Sequence, residues 1–113
     1  MADYWELFRK AKSYYKGLWR IRCPDLDDRE IIFGRRGFDH FLKKNNGRRP
    51  IADQIRRFNL LFSIYEIVAG GLVYRDANCY MSLLYEMDDG SRVKLVLIEF
   101  RDGTIHFVSI YEM

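Results

Sequence analysis

Two Asp-Gly pairs, Asp89-Gly90 and Asp102-Gly103, each separate runs of alternating apolar and polar residues. Asp-Gly in that setting is the strongest short-range signal for a β-hairpin. It commits the last third of the chain, residues 79–111, to a three-stranded antiparallel meander: CYMSLLYEM, RVKLVLIEF and IHFVSIY. With two-residue turns, Lys94 falls opposite Tyr111, Val96 opposite Ser109, and Glu99 opposite His106. The first turn likewise sets Tyr85 opposite Lys94 and Glu86 opposite Val93. Because strand side chains alternate faces, this register sorts every residue. Leu84, Val93, Leu95, Leu97, Val108 and Ile110 form one apolar face that calls for helices. Tyr85, Lys94, Ser109 and Tyr111 gather at one end of the other face, with Met81, Leu83, Val96, Ile98, Phe100 and Phe107 further along. The row of lysine, hydroxyl and two tyrosines is the candidate site. Glu99 and His106 are expected to form an ion pair at the edge of the core.

The preceding residues supply the helices. RRPIADQIRRFNLLFSIYEIVAGG reads as one long helix, with Pro50 in its first turn, Asp53 near its positive end and Gly70-Gly71 closing it. It is apolar over most of its circumference and belongs against the sheet; Arg57 is expected to pair with Asp53 at i,i+4 in a structural role. GRRGFDHFLKKNNG reads as a shorter helix, capped by Asn45-Asn46-Gly47. Its Phe38, Phe41 and Leu42 face the core, and Arg36, His40, Lys43 and Lys44 face away. Surrounded by cations, His40 should titrate low, which suits acid–base work. LVYRD at 72–76 adds a strand. Upstream, residues 2–16 look helical, with Trp5, Phe8, Lys12 and Tyr15 near one face and Gly17 as the stop. LWRIRC follows as a short strand, and EIIF as another strand or an extended lead-in. The expectation is a single α+β domain, 1–113. Helices pack on one face of a four- or five-stranded antiparallel sheet, with an additional N-terminal helix. Residues 1–29 form an extension and 30–113 the core.

At 113 residues, 49% hydrophobic, the chain can bury a small core and is no disordered segment. No apolar run approaches the roughly 20 residues needed to span a bilayer, and the first residues lack a signal peptide's apolar stretch, so a cytoplasmic protein is expected. The same length also fits a toxin domain carried on a larger polypeptide. Cys23 and Cys79 have no metal spacing and are expected to be free thiols. Charge is uneven: residues 35–57 hold eight Lys and Arg against two Asp, a net of +6, within a chain of net +3. Such a block suits a polyanion. There is no HExxH, no cysteine–histidine cluster and no phosphate-binding glycine loop, so no metal or cofactor is expected.

An open sheet face carrying Lys, Ser and Tyr beside a basic helix suits metal-independent RNA cleavage. There the ribose 2′-hydroxyl attacks the adjacent phosphate, and the protein positions the strand, neutralises developing charge and moves protons. Two helices followed by four antiparallel strands, with GRRGFDHFLKKN early and HFVSIYEM at the end, resemble the barnase, EndoU, colicin and RelE group of small nucleases. The likeness is to its phage- and polymorphic-toxin-associated branch, and it covers residues 30–113. On that resemblance His40, with Arg36 and Lys43 near it, matches the early motif, and Ser109 and Tyr111 match the last-strand motif. It implies an endoribonuclease toxin; with Lys94 added from the open-face row, the expected catalytic residues are His40, Lys94, Ser109, Tyr111 and Arg36. Arg35, Lys43, Lys44, Tyr85, Arg48 and Arg49 would bind RNA. The implied partners are RNA and an antitoxin or immunity protein, with no membrane, and a homodimer is compatible. The competing expectation is a non-enzymatic mobile-element protein that binds a host protein or nucleic acid through its basic helix or open sheet face.

Overall fold

Both Asp-Gly turns form, with three loop residues rather than two. Gly90 (φ 87°) and Gly103 (φ 88°) adopt left-handed backbone, which glycine reaches without steric cost. Met87 N donates to Ser91 O and Phe100 N to Thr104 O, so these residues face each other across the turns. Asp89 Oδ1 accepts from the backbone N–H and hydroxyl of Ser91, and Asp102 Oδ1 does the same for Thr104. These bonds favour the ionised carboxylates and pull both below the ordinary aspartate range.

The computed structural model describes residues 2–45 and 47–113. The elements run α1 (Ala2–Leu18), β1 (Arg20–Cys23), a 3₁₀ turn (Pro24–Leu26), β2 (Arg29–Ile32), α2 (Arg35–Leu42), β3 (Lys43–Lys44) and β4 (Gly47–Arg48). Then come α3 (Ile51–Leu61), α4 (Ile64–Gly70), β5 (Leu72–Arg75), β6 (Tyr80–Glu86), β7 (Arg92–Glu99) and β8 (Ile105–Glu112). The architecture is α+β. The main sheet has six strands, ordered β1-β2-β8-β7-β6-β5, not four or five, and the β2–β8 pair is parallel. Its two margins approach each other: the 3₁₀ turn after β1 packs on β5, and Asp25 Oδ2 accepts the Val73 N–H at 2.7 Å. α4 lies in the hollow this makes, against β1, β6 and the 3₁₀ turn, with Ile64, Ile67 and Val68 fully buried.

The extra turn residue shifts β6 by one position. Tyr85 stands opposite Val93 and Leu84 opposite Lys94, so Leu84 joins the open face while Met81 and Leu83 are buried beneath the helices. The last hairpin starts with the same shift. A β-bulge at Val108 then restores the expected register, with Val96 opposite Ser109 and Lys94 opposite Tyr111. Burial explains the bulge. Phe107 packs on Phe33 at 5.2 Å and Phe41 at 5.9 Å, while Ile110 is buried three residues later. Unbroken alternation would expose one of them, at about 2 kcal/mol, against about 1 kcal/mol for an interrupted ladder bond. Phe107 therefore points inward, contrary to the simple alternation. Glu99 does not meet His106; it pairs with Arg29 and Arg75, while His106 lies opposite Ile98 with its ring edge-on to Phe100 at 4.6 Å.

The helices differ from their sequence reading in three places. α1 runs through Gly17, and its buried side is Tyr4, Ala11, Tyr15 and Leu18, leaving Trp5 exposed. With β1 paired to β2, the N-terminal segment contributes Tyr4, Ala11, Tyr15, Leu18, Ile21, Cys23 and Leu26 to the hydrophobic core. The expected long helix breaks at Phe62 and Ser63, which lets α4 turn into the hollow. The short helix stops at Leu42, so Lys43 and Lys44 lie in a small hairpin opposite Arg48 and Gly47. Asn46 of the anticipated cap lies outside the described residues.

Candidate functional site

The site is built where β2 ends and β8 continues. Among the described residues β2 pairs with β8 at Ile105 and His106 only, and the later edge of β8 has no strand neighbour. A buried carbonyl left there would be costly, and α3 supplies the donor. Arg57, buried although charged, sends Nη1 to Ile110 O and to Ser109 Oγ, each at 2.9 Å. Its Nε binds both carboxylate oxygens of Asp53, at 3.2 and 3.3 Å, one turn earlier on the helix. Its guanidinium carbon sits 5.4 Å from the centre of the Tyr111 ring, a cation–π contact. Nη2 has no protein acceptor among the described residues. Arg57 also lines a cleft of about 330 Å³, together with Asp53, Arg56, Leu60, Tyr111, Glu112 and Met113.

α2 brings the histidine to this edge. Gly37 lets the helix lie directly on β8, since an alanine Cβ there would stand 2.6 Å from Phe107 Cδ2. One turn of helix then carries Arg36 and His40 on one exposed face. Arg49 donates through Nε to His40 O at 2.7 Å and through Nη1 to Asp53 Oδ2 at 3.4 Å, joining the end of α2 to the start of α3. Gln54 ties the same corner, donating to Arg49 O at 2.8 Å and accepting from the Tyr4 hydroxyl. His40 is pushed below the ordinary histidine value by partial loss of solvent, then by the positive charge of Arg49 and Arg57, with Asp39 opposing. The shift favours the neutral imidazole, whose lone pair can take a proton. Burial first, then Arg49, also lowers the Arg57 guanidinium, with Asp53 opposing; an arginine remains cationic regardless.

Lys94 is half-buried on the open face directly opposite Tyr111, and Ser109 lies on the same face opposite Val96. Lys94, Ser109 and Tyr111 thus come together, with His40 in the field of the same arginine. Four expected residues fall elsewhere or act differently. Tyr85 is on the helix-covered face, stacked over Gly70 with its hydroxyl on Glu66 at 3.2 Å, because the three-residue turn moved it off the Lys94 row. Arg35 lines a different cleft, between α1 and α2. Arg49 is engaged internally. Arg57, read from sequence as a partner of Asp53 and no more, does make that pair but also reaches Ser109 and Tyr111. Spacing on one helix signals the first contact, whereas the second depends on where β2 stops. Lys43, Lys44 and Arg48 are exposed on their hairpin.

No family model matches the chain, no curated protein matches it, and no solved structure matches its fold. Among the described residues no group of three or more His, Cys, Asp or Glu side chains is placed to hold a metal. No described helix is long and apolar enough to cross a membrane. Cys23 is buried, Cys79 exposed, and both are free. Chemically, the arrangement offers a fixed guanidinium with unused N–H groups, an ammonium, a hydroxyl, an aromatic face and an imidazole. Groups of these kinds can bind an oxyanion and move a proton.

Proposed function

We propose that the protein is a metal-independent endoribonuclease that cleaves RNA by attack of a ribose 2′-hydroxyl on the adjacent phosphate. The observation that carries this reading is Arg57: a buried guanidinium held by Asp53, Ser109 and Ile110 O, with no protein acceptor for Nη2 among the described residues, on a residue that also lines a cleft beside Tyr111. A preorganised cation with free donors stabilises charge that develops on a phosphorane without reorganising at the moment of reaction. Lys94 adds a second cation, Ser109 orients Arg57 and faces the phosphate, and Tyr111 offers its ring to a base. His40, in its neutral form, accepts the 2′-hydroxyl proton, and Arg36 on the same helix face draws the strand in. A toxin acting on cytoplasmic RNA, held in check by an antitoxin or immunity protein, fits this chemistry.

The test is incubation with RNA oligonucleotides in excess chelator, comparing wild type with Lys94→Ala. Cleavage by wild type to 2′,3′-cyclic phosphate ends, with resistance of oligonucleotides lacking the 2′-hydroxyl, is the expected outcome. Full activity in a folded Lys94→Ala protein removes that lysine from the mechanism. Absence of cleavage by wild type over a broad set of RNAs overturns the reading.

A further inference from the structure

A second cleft lies apart from the Arg57 edge. It occupies about 560 Å³ between α1 and α2, inside the roughly 300–1,000 Å³ range of small-molecule sites. Three features of it are unfavourable to the isolated protein. Lys12 and Lys16 stand at i,i+4 on α1, a like-charge pair that weakens a helix. Together with Arg35 they make three cations against Asp39 alone, and none of the three joins an ion pair among the described residues. Trp19, at the rim, has φ 58°, a left-handed conformation that is sterically unfavourable for a non-glycine residue. The β1–β2 pairing fixes that backbone, since Trp19 O accepts the Phe33 N–H at 3.0 Å. The indole gains little from it, being 72% exposed. Strain spent on presenting a large aromatic to solvent points toward a ligand rather than toward the core.

We propose that this cleft holds one nucleotide of a single-stranded RNA, its base stacked on Trp19 and its phosphate among Lys12, Lys16 and Arg35. The net charge of the lining, +2 from three cations and one carboxylate, selects an anion. Phe8 and Phe33 make the floor apolar, which suits a planar base next to that anion. Arg35 and Asp39 line the cleft from α2, and Arg36 and His40 follow each of them by one residue. A strand anchored at Trp19 therefore crosses α2 on its way to the Arg57 edge. The assignment rests on the ribonuclease reading for its RNA, and it names the substrate as single-stranded. Duplex RNA keeps its bases stacked away from such a ring.

The test separates binding from cleavage by using a strand that cannot be cut. In a Trp5→Phe background Trp19 is the sole tryptophan, and its fluorescence is titrated with an oligonucleotide of eight deoxythymidines. Saturable quenching is expected, with affinity weakened about tenfold or more in Lys12→Ala/Lys16→Ala and unchanged in Lys10→Ala. Trp19→Gly, followed by anisotropy of the labelled strand, should weaken binding about tenfold, the scale of one lost base–aromatic stack, while its Tm holds or rises. A fall in Tm with unchanged binding would mean that Trp19 is structural. Equal losses in Lys10→Ala and Lys12→Ala/Lys16→Ala would reduce the cleft to nonspecific charge. Quenching by uridine monophosphate as tight as by the strand would overturn the strand assignment in favour of a free nucleotide. Binding without RNA cleavage leaves the cleft standing and sinks the ribonuclease; cleavage without quenching does the reverse.

Discussion

At Ile105 and His106, β8 has β2 on one side and β7 on the other; from Ser109 onward only β7 remains among the described residues, and Arg57 takes the vacant edge. In the first stretch the backbone is satisfied by other backbone, and the side chains serve packing. In the second, the missing strand is replaced by a charged side chain that fulfils a structural need with part of its donor set and leaves Nη2 without a protein acceptor among the described residues. A strand that outruns its neighbour is thus a place where a fold can hold a buried cation, because the cation is required there for the backbone's sake.

The sharpest way to break this comparison is Arg57→Met. It leaves Ile110 O, Ser109 and part of Asp53 unpartnered, so urea unfolding should show a loss of about 2–3 kcal/mol. RNA cleavage should fall by about a thousandfold or more if the guanidinium is the main charge stabiliser. Arg57→Lys should recover part of the stability and little of the activity, since an ammonium cannot reproduce the fork. His40→Gln comes next, with cleavage down about a hundredfold and little change in melting temperature at pH 7, because the His40 side chain makes no hydrogen bond among the described residues and the residue is exposed overall. Ser109→Ala removes one acceptor of Arg57 and should cost about 1 kcal/mol and about tenfold in rate. On the other stretch, Gly103→Ala introduces a Cβ at φ 88° and should cost about 1 kcal/mol with cleavage unchanged. A loss of activity from Gly103→Ala larger than from Ser109→Ala would erase the distinction between the two halves.

The pH profile gives the smallest effect and refines the same picture. His40 sits below the ordinary histidine value in the folded chain, so the unfolded chain binds more protons as pH falls through that value. Stability contributed by the neutral ring is therefore present above the unfolded value and lost on acidification. The acid limb of cleavage should lie at lower pH than an ordinary histidine would give. Arg49→Met removes one of the cations responsible and should move that limb to higher pH. An unmoved limb would mean that another group titrates there.

How much of this was readable without coordinates depends on the range of the signal. Asp-Gly followed by Ser or Thr marked both turns and three strands. The Lys94–Tyr111 pairing also came out, although through two deviations that cancel: a turn one residue longer and a bulge that absorbs it. β6 has no such bulge, so Tyr85 was assigned to the wrong face and Leu84, Met81 and Leu83 with it. The difference lies in Phe107, whose burial against Phe33 and Phe41 is a tertiary demand that no alternation pattern records. The helix break at Ser63 and the membership of α1 in the core are likewise settled by what they pack on. Arg57 was legible only as half of an i,i+4 pair, because its second set of contacts spans 52 residues of sequence to Ser109.

The Asp25 carboxylate on the Val73 amide has a consequence beyond closing the fold. β5 is the outermost strand on its side, four residues long, and such a margin ordinarily offers free N–H groups to any extended segment that drifts past. Here the chain's own acid occupies the donor at Val73, and a negative charge stands where an incoming backbone carbonyl would have to sit. Growth of the protein into ribbons by strand addition at this margin meets both an occupied bond and a repelling charge.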